Sequence, residues 1–240
     1  HLERTGEELP SLRRIMVGGA AMSPSLMERI ERRGIRVQTT WGMTEISPLG
    51  TAMPPTAGTR LPSASGRPAI GIDLMLTDAS GKALDQQRGA QGHLWVRGPS
   101  VVERYLGQAE PVTDDGWFDT GDLARIDECG ILTITGRAKD LIKSGGEWIN
   151  PAEIEAIVGA HPDVSQAAVI GREHAKWGER PVLLVELRDG AEIGDEALLD
   201  TLEGKVASWW RPDSVLRLAN MPLAATGKID KLRLRSEYGR

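Results

Sequence analysis

Along the chain the spacing of apolar residues changes character twice. IMVGGA (15–20) reads as a short buried strand running into a glycine turn. PSLMERIERRG (24–34) then sets Leu26 and Ile30 at helical spacing, with Pro24 in the first turn and Gly34 as the stop. IRVQTTWG (35–42) is β-rich again, so the opening segment predicts a βαβ piece of an α/β sheet. From 51 to 140, Gly/Pro-rich turns alternate with short apolar runs at IDLMLT (72–77), GHLWVRG (92–98) and GILTITG (130–136), which predicts a β-rich, barrel-like subdomain. Beyond 140, NPAEIEAIVGA (150–160) predicts a helix with Asn150 as N-cap, Pro151 at the first helical position and Glu153 reaching back as in a capping box. Strands at VSQAAVI (164–170) and VLLVEL (182–187), then a helix through 195–210, complete an α+β unit of about a hundred residues. The expected fold class is α/β plus α+β, with the boundary near GRAKD (136–140).

Composition narrows the setting. The hydrophobic share of 40% and charged share of 26% are those of a soluble globular protein, and no run approaches the roughly 20 apolar residues that span a bilayer. HLERTGEELPSLRR lacks the apolar core of a secretory signal, and the single Cys129 has neither a disulfide partner nor metal-ligand spacing, so a reducing cytoplasm is expected, with Cys129 a buried or half-buried bystander. A net charge of −5 argues against nucleic acid as a partner. Residues 201–240 run the other way, with eight Lys/Arg against four Asp/Glu, and this basic end either faces an anion or is a solvated edge.

Several catalytic constellations are missing: H-E-x-x-H, paired C-x-x-C, G-x-S-x-G and G-x-G-x-x-G. ATGKID (225–230) is not a Walker loop, because Ile229 replaces the Ser/Thr and no glycine stands five residues before Gly227. Four blocks remain. VGGAAMSP (17–24) puts small residues where a backbone passes close to something flat, or simply packs as a turn. TTWGMTEISPLG (39–50) gathers Trp41, Gly42, Thr44 and Glu45, a set able to stack on a base, touch a phosphate oxygen and hold Mg²⁺, though a structural strand-end loop has the same look. FDTGDLA (118–124) sets Asp119 and Asp122 on a turn where a carboxylate could accept from ribose hydroxyls, and GRAKD adds the planar donor Arg137. Read alone, those two blocks are equally a helix cap and a surface ion pair. The fourth block, PLAATGKIDKLRLR (222–235), completes the set.

With TTWGMTE, FDTGDL, GRAKDLIKSGGEWINPAEIE and PLAATGKIDKLRLR in this order, nearly the whole chain resembles the C-terminal part of the adenylate-forming superfamily of acyl-CoA synthetases, luciferases and peptide-synthetase adenylation domains. WGMTEISPLG and KSGGEWIN are most similar to the medium-chain fatty-acyl-CoA ligase branch. The resemblance implies that residues 1–136 are the end of a large α/β and β-barrel-like domain, and that 137–240 form a small mobile α+β lid pivoting at Lys139. It implies ATP-dependent activation of a carboxylic acid, a medium-chain fatty acid in that branch, to acyl-AMP, then thioester formation with coenzyme A. Gly19, Ala20 and Ala21 would border the adenine, with Trp41 where the family usually has tyrosine; Thr44 would touch the α-phosphate and Glu45 bind Mg²⁺; Asp122 and Arg137 would hold the ribose. Lys228 would be the catalytic lysine. Gly145 and Gly146 would line the pantetheine tunnel, with Trp177 either flanking it or packing, while Trp148, Trp209 and Trp210 are expected as packing residues and Lys231 as a surface charge.

The family's Ser/Thr/Gly-rich phosphate loop has no counterpart in the sequence, so the missing N-terminal part of the enzyme is an expected partner, and a homodimer is admitted. Alternatives from the same resemblance are an acyl-AMP ligase, a carrier-protein-loading adenylation domain, or a non-catalytic nucleotide-binding fragment.

Overall fold

The computed structural model describes residues 2–19, 22, 24–53, 63–109, 112–225 and 227–240. The chain divides into two compact units, His1–Ile134 and Thr135–Arg240.

Unit 1 begins with a one-turn helix α1 (Leu2–Thr5), strand β1 (Arg14–Val17), helix α2 (Pro24–Glu31) and strand β2 (Arg36–Gly42). β1 and β2 pair in parallel, Arg14 opposite Arg36 and Val17 opposite Thr39, so the predicted βαβ unit is present. Among the described side chains of α2 the buried one is Met27, at 5% exposure, whereas Leu26 is 40% exposed. The helix closes at Glu31, three residues before Gly34, whose φ of 77° belongs to the left-handed region. There follow β3 (Leu49–Ala52), β4 (Ala64–Pro68), β5 (Asp73–Thr77), β6 (Gln91–Arg97), β7 (Phe118–Ile126) and β8 (Leu132–Arg137). Among the described residues these make an eight-stranded sheet in the order β1-β2-β3-β4-β8-β7-β6-β5. Leu76, Leu94, Val96, Phe118, Ala124, Ile126 and Leu132 close around Trp41 and Ile46 to form the core.

The FDTGDLA segment, expected as a turn, is instead the first part of β7. Its pairing with β6 is bulged: His93 faces Leu123 and Trp95 faces Asp119, so two extra residues of β7 are accommodated around Gly121, φ 68°. A bulge re-aims the side chains beside it. Here the Thr120 hydroxyl donates to the Leu94 carbonyl and accepts from the Asp122 N–H, and Asp122 is buried.

Unit 2 holds β9 (Ile142–Ser144), β10 (Glu147–Ile149), α3 (Pro151–Gly159), β11 (Val164–His174), β12 (Gly178–Leu187), α4 (Asp195–Asp200), β13 (Ser214–Arg217) and α5 (Lys231–Tyr238). The strands order as β10-β9-β12-β11, with β13 parallel to β12. Alternate residues of β11 and β12 serve opposite faces. Val169, Leu183 and Val185 pack with Ile154 and Val158 of α3 and Leu198 and Leu199 of α4, while Ala168, Ile170 and Leu184 pack with Leu234 of α5 and with Met221 in the loop before it. With both faces covered, VLLV (182–185) is a continuous buried run.

Three further local expectations are corrected. The helix predicted through 195–210 ends at Asp200; Thr201, Leu202 and Glu203 bond three residues back, Gly204 turns at φ 68°, and a separate 3₁₀ turn covers Ser208–Trp210. At α3, Asn150 does cap, its Oδ1 accepting from the Ala152 N–H, but Glu153 meets the Asn150 side chain, accepting from Nδ2, rather than the backbone. The same Nδ2 donates to the Thr135 carbonyl. Cys129 is exposed rather than buried, and among the described residues no helix is long and apolar enough to cross a membrane.

Candidate functional site

In unit 1 the structure unites two segments that lie 81 positions apart: the Trp41 indole Nε1 donates to Asp122 Oδ2 at 2.9 Å, with both side chains buried. Trp41 is a core residue whose ring fills the space over Gly50, where an added Cβ would stand 2.5 Å from it. After β2 the chain turns sharply. A Cβ on Gly42 would stand 1.8 Å from the Pro48 carbonyl oxygen, so only glycine passes here. The 3₁₀ turn Thr44–Ile46 is anchored by Ile46, 1% exposed, which leaves Thr44 exposed and Glu45 half-buried.

Glu45 is held from a direction the sequence did not signal. The Tyr105 hydroxyl donates to its Oε1 at 3.0 Å, and the Val102 N–H donates to its backbone carbonyl at 2.7 Å. The carboxylate accepting from the phenol pushes the Tyr105 pKa up, with burial adding to it. Tyr105 lies 60 positions from Glu45, in a segment without a periodic pattern, and no local signal would have found it. Gly19 adopts φ 83°, and among the described residues nothing beyond its own chain neighbours comes within 4 Å of where its Cβ would be. Ala20 and Ala21 lie outside the described residues. Asp119, exposed, accepts from the Gly121 N–H within the bulge.

In unit 2, Arg137 is extended (φ −115°, ψ 132°) and exposed, immediately before the 3₁₀ turn Ala138–Asp140 that carries the exposed Lys139. Gly145 and Gly146 form the two-residue loop of the β9-β10 hairpin, where Glu147 pairs with Ser144 and both glycines have positive φ, 59° and 94°. That is what a primed hairpin turn demands. Trp177 packs on Gly145: an added Cβ there would lie 2.7 Å from the ring, and the Gly145 N–H donates to the Trp177 carbonyl at 2.8 Å. Lys176 stacks over the same ring at 4.4 Å from its centroid. Trp148 and Trp209 are half exposed, contrary to the packing roles expected of them, while Trp210 packs against the core.

Lys228 is exposed at the end of a closed turn. Its carbonyl accepts from the Ala224 N–H at 2.7 Å, Leu223 bridges Ile229, and the Asp230 N–H donates to the Pro222 carbonyl. Three residues on, Lys231 is not the surface charge expected. It is 20% exposed, 2.7 Å from Glu155 and 3.8 Å from Asp140, with Arg235 3.2 Å from Asp140. Glu155 also accepts from the Val169 N–H at 2.7 Å. Burial pushes its pKa up, and Lys231 works against that shift. The i, i+4 spacing of Lys231 and Arg235 on one helix face was the available sequence signal for this cluster.

Among the described residues no group of three or more His, Cys, Asp or Glu side chains could hold a metal ion. A lone carboxylate such as Glu45 nevertheless suits Mg²⁺, which is commonly bound by one or two carboxylates together with substrate phosphates.

The model of the AMP-binding enzyme family matches residues 1–106, and that of the AMP-binding enzyme C-terminal domain matches residues 153–228. The chain is 44% identical over 245 residues to a 3-methylmercaptopropionyl-CoA ligase of Ruegeria pomeroyi, an alignment covering 97% of this chain and 45% of that protein. It is 40% identical over 246 residues to a medium-chain-fatty-acid–CoA ligase of Ectopseudomonas oleovorans, covering 98% and 45% respectively. Among solved structures, ATP-bound MatB of Rhodopseudomonas palustris matches with a TM-score of 0.84 at 35% identity, over 93% of this chain and 45% of that one. The chain thus spans about half the length of the curated relatives it matches.

Proposed function

Since this chain belongs to the AMP-binding enzyme family, we propose that it serves an acid–thiol ligase, which activates a carboxylic acid with ATP and passes the acyl group to coenzyme A. In the first half-reaction a carboxylate oxygen of the acid attacks the α-phosphorus and pyrophosphate leaves. In the second the coenzyme A thiol attacks the acyl carbonyl and AMP leaves. Neither step needs a nucleophile from the protein, whose part is positioning and charge stabilisation.

The observation that supports this reading most is the buried Trp41–Asp122 hydrogen bond. It fixes a carboxylate, which can accept from ribose hydroxyls, against an indole that would border the base. Thr44, exposed on the anchored turn, would touch the α-phosphate, and Gly19, Ala20 and Ala21 would edge the adenine. Glu45, oriented by Tyr105, would hold Mg²⁺, which when bound neutralises charge on the phosphates. Arg137 would complete the ribose contacts. Lys228 would bridge the substrate carboxylate and the α-phosphate, where negative charge builds on the phosphoryl oxygens. Residues 137–240 would act as a lid pivoting at Lys139, and Gly145 and Gly146, with Trp177, would border the path of coenzyme A.

The acid is proposed to be a medium-chain fatty acid, in keeping with WGMTEISPLG and KSGGEWIN. The higher identity to the Ruegeria ligase favours a second reading, a short thioether acid. The test is pyrophosphate release and thioester formation by the full-length protein with ATP, Mg²⁺ and coenzyme A, comparing octanoate with 3-methylmercaptopropionate. Adenylation without transfer to free coenzyme A would point to an acyl-AMP or carrier-loading enzyme, and absence of both would overturn the proposal.

A further inference from the structure

We propose that helix α5 clamps the pivot turn onto unit 2, with Lys231 and Arg235 acting as positioning residues through Asp140 and Glu155. The inference rests on the reading of Lys139 as the pivot and Lys228 as the catalytic lysine.

The Arg235 guanidinium meets the Asp140 carboxylate at 3.2 Å and lies 3.4 Å from each of the Lys139 and Asp140 carbonyl oxygens. Lys231, one turn earlier on the same helix face, spans Asp140 and Glu155. Glu155, on α3, is tied in turn to the β11 backbone at Val169. Two cations and two carboxylates thus balance, with side-chain exposures between 14% and 29%. Leu234, fully buried between the two cationic residues, pins α5 against Ala168, Ile170 and Leu184. A half-enclosed network of this kind contributes little net stability over an apolar contact, but removing one member strands the others, so it specifies one arrangement. The arrangement specified here is that of the backbone from the Lys139 carbonyl onward.

Two consequences follow for motion. Rotation at the pivot is confined to backbone bonds preceding that carbonyl, because the atoms after it are bound to α5. Lys228 is carried rigidly with the same end: Asp230 caps α5 by accepting from the Arg233 N–H, and the turn bearing Lys228 is closed by the Ala224–Lys228 and Asp230–Pro222 bonds. The clamp therefore sets the distance from pivot to ammonium.

The test compares Lys231→Met and Arg235→Met with Lys231→Arg and Arg235→Lys in the full-length protein. In the Met variants, amide hydrogen exchange across 138–143 is expected to speed up about tenfold while β11 and β12 stay protected. Acyl-adenylate formation should fall roughly tenfold or more, because small misplacements of a catalytic group are costly. Thioester formation from supplied acyl-adenylate, and the KM for ATP, should change far less, and the charge-conserving variants should recover most of the loss. Unchanged exchange at 138–143, or exchange rising across the whole of unit 2 with both half-reactions falling equally, would overturn the clamp. If the wild-type protein forms no acyl-adenylate, the proposed function fails, and the exchange pattern still decides the clamp.

Discussion

In unit 1 two of the groups proposed to meet the nucleotide sit inside a packed framework: Trp41 is 8% and Asp122 3% exposed, and each is positioned by the bulge of β7 or by the core around it, while Thr44 beside them is exposed. In unit 2 the proposed groups stand on turns. Lys139, Gly145, Gly146 and Lys228 are exposed, and Trp177 is 43% exposed. The contrast teaches how the two tasks divide. A cradle for a rigid ligand gains from groups that are already ordered, whereas a group that must arrive for one step and leave for the next has to be carried on a surface turn.

Four substitutions sharpen or break this contrast. Lys228→Ala is expected to lower pyrophosphate release by roughly 10²- to 10³-fold, with unfolding stability altered by no more than about 0.5 kcal/mol, since the turn is closed by the Lys228 backbone and not by its side chain. A stability loss of core size would show that this lysine is structural. Trp41→Phe removes a donor from a buried carboxylate, so about 1–3 kcal/mol of stability should go in urea unfolding, accompanied by weaker ATP binding. Loss of stability with ATP affinity intact would separate the core from the cradle. Gly145→Ala combines a φ of 59° with a 2.7 Å approach to Trp177 and should cost about 1 kcal/mol, measured the same way. The smallest effect belongs to Glu155→Gln. Burial raises the folded-state pKa of Glu155 above its usual value of 4.5, so the contribution of this group to stability is present in full below 4.5 and is lost as pH rises through the folded pKa. Denaturation curves across that window should show the advantage of wild type over Glu155→Gln shrinking as pH rises; a growing advantage would mean that the Lys231 pair outweighs burial.

Much of the secondary structure was legible because its signals are local. Pro24 and Gly34 bracket α2, Asn150 and Pro151 open α3, and the apolar run of β12 announced a strand covered on both faces. The misjudged elements were those where local signals compete. The apolar positions in 195–210 carry a helical rhythm, yet Gly204 and the three-residue-back bonds end the helix at Asp200. FDTGDLA has the composition of a turn, and only its pairing with β6 makes it a bulged strand.

The sequence by itself determined the order of the motifs, the β-then-α+β plan, the resemblance to adenylate-forming enzymes and the positions of Asp122, Arg137 and Lys228, because each is written in residues close together along the chain. Tertiary structure alone decided that Trp41 binds Asp122, that Tyr105 holds Glu45 and that Lys231 is half enclosed beside Glu155 and Asp140. Those contacts join residues from 60 to 91 positions apart. Which distant partners meet depends on sheet register and on how helices pack across it, and no local propensity encodes either.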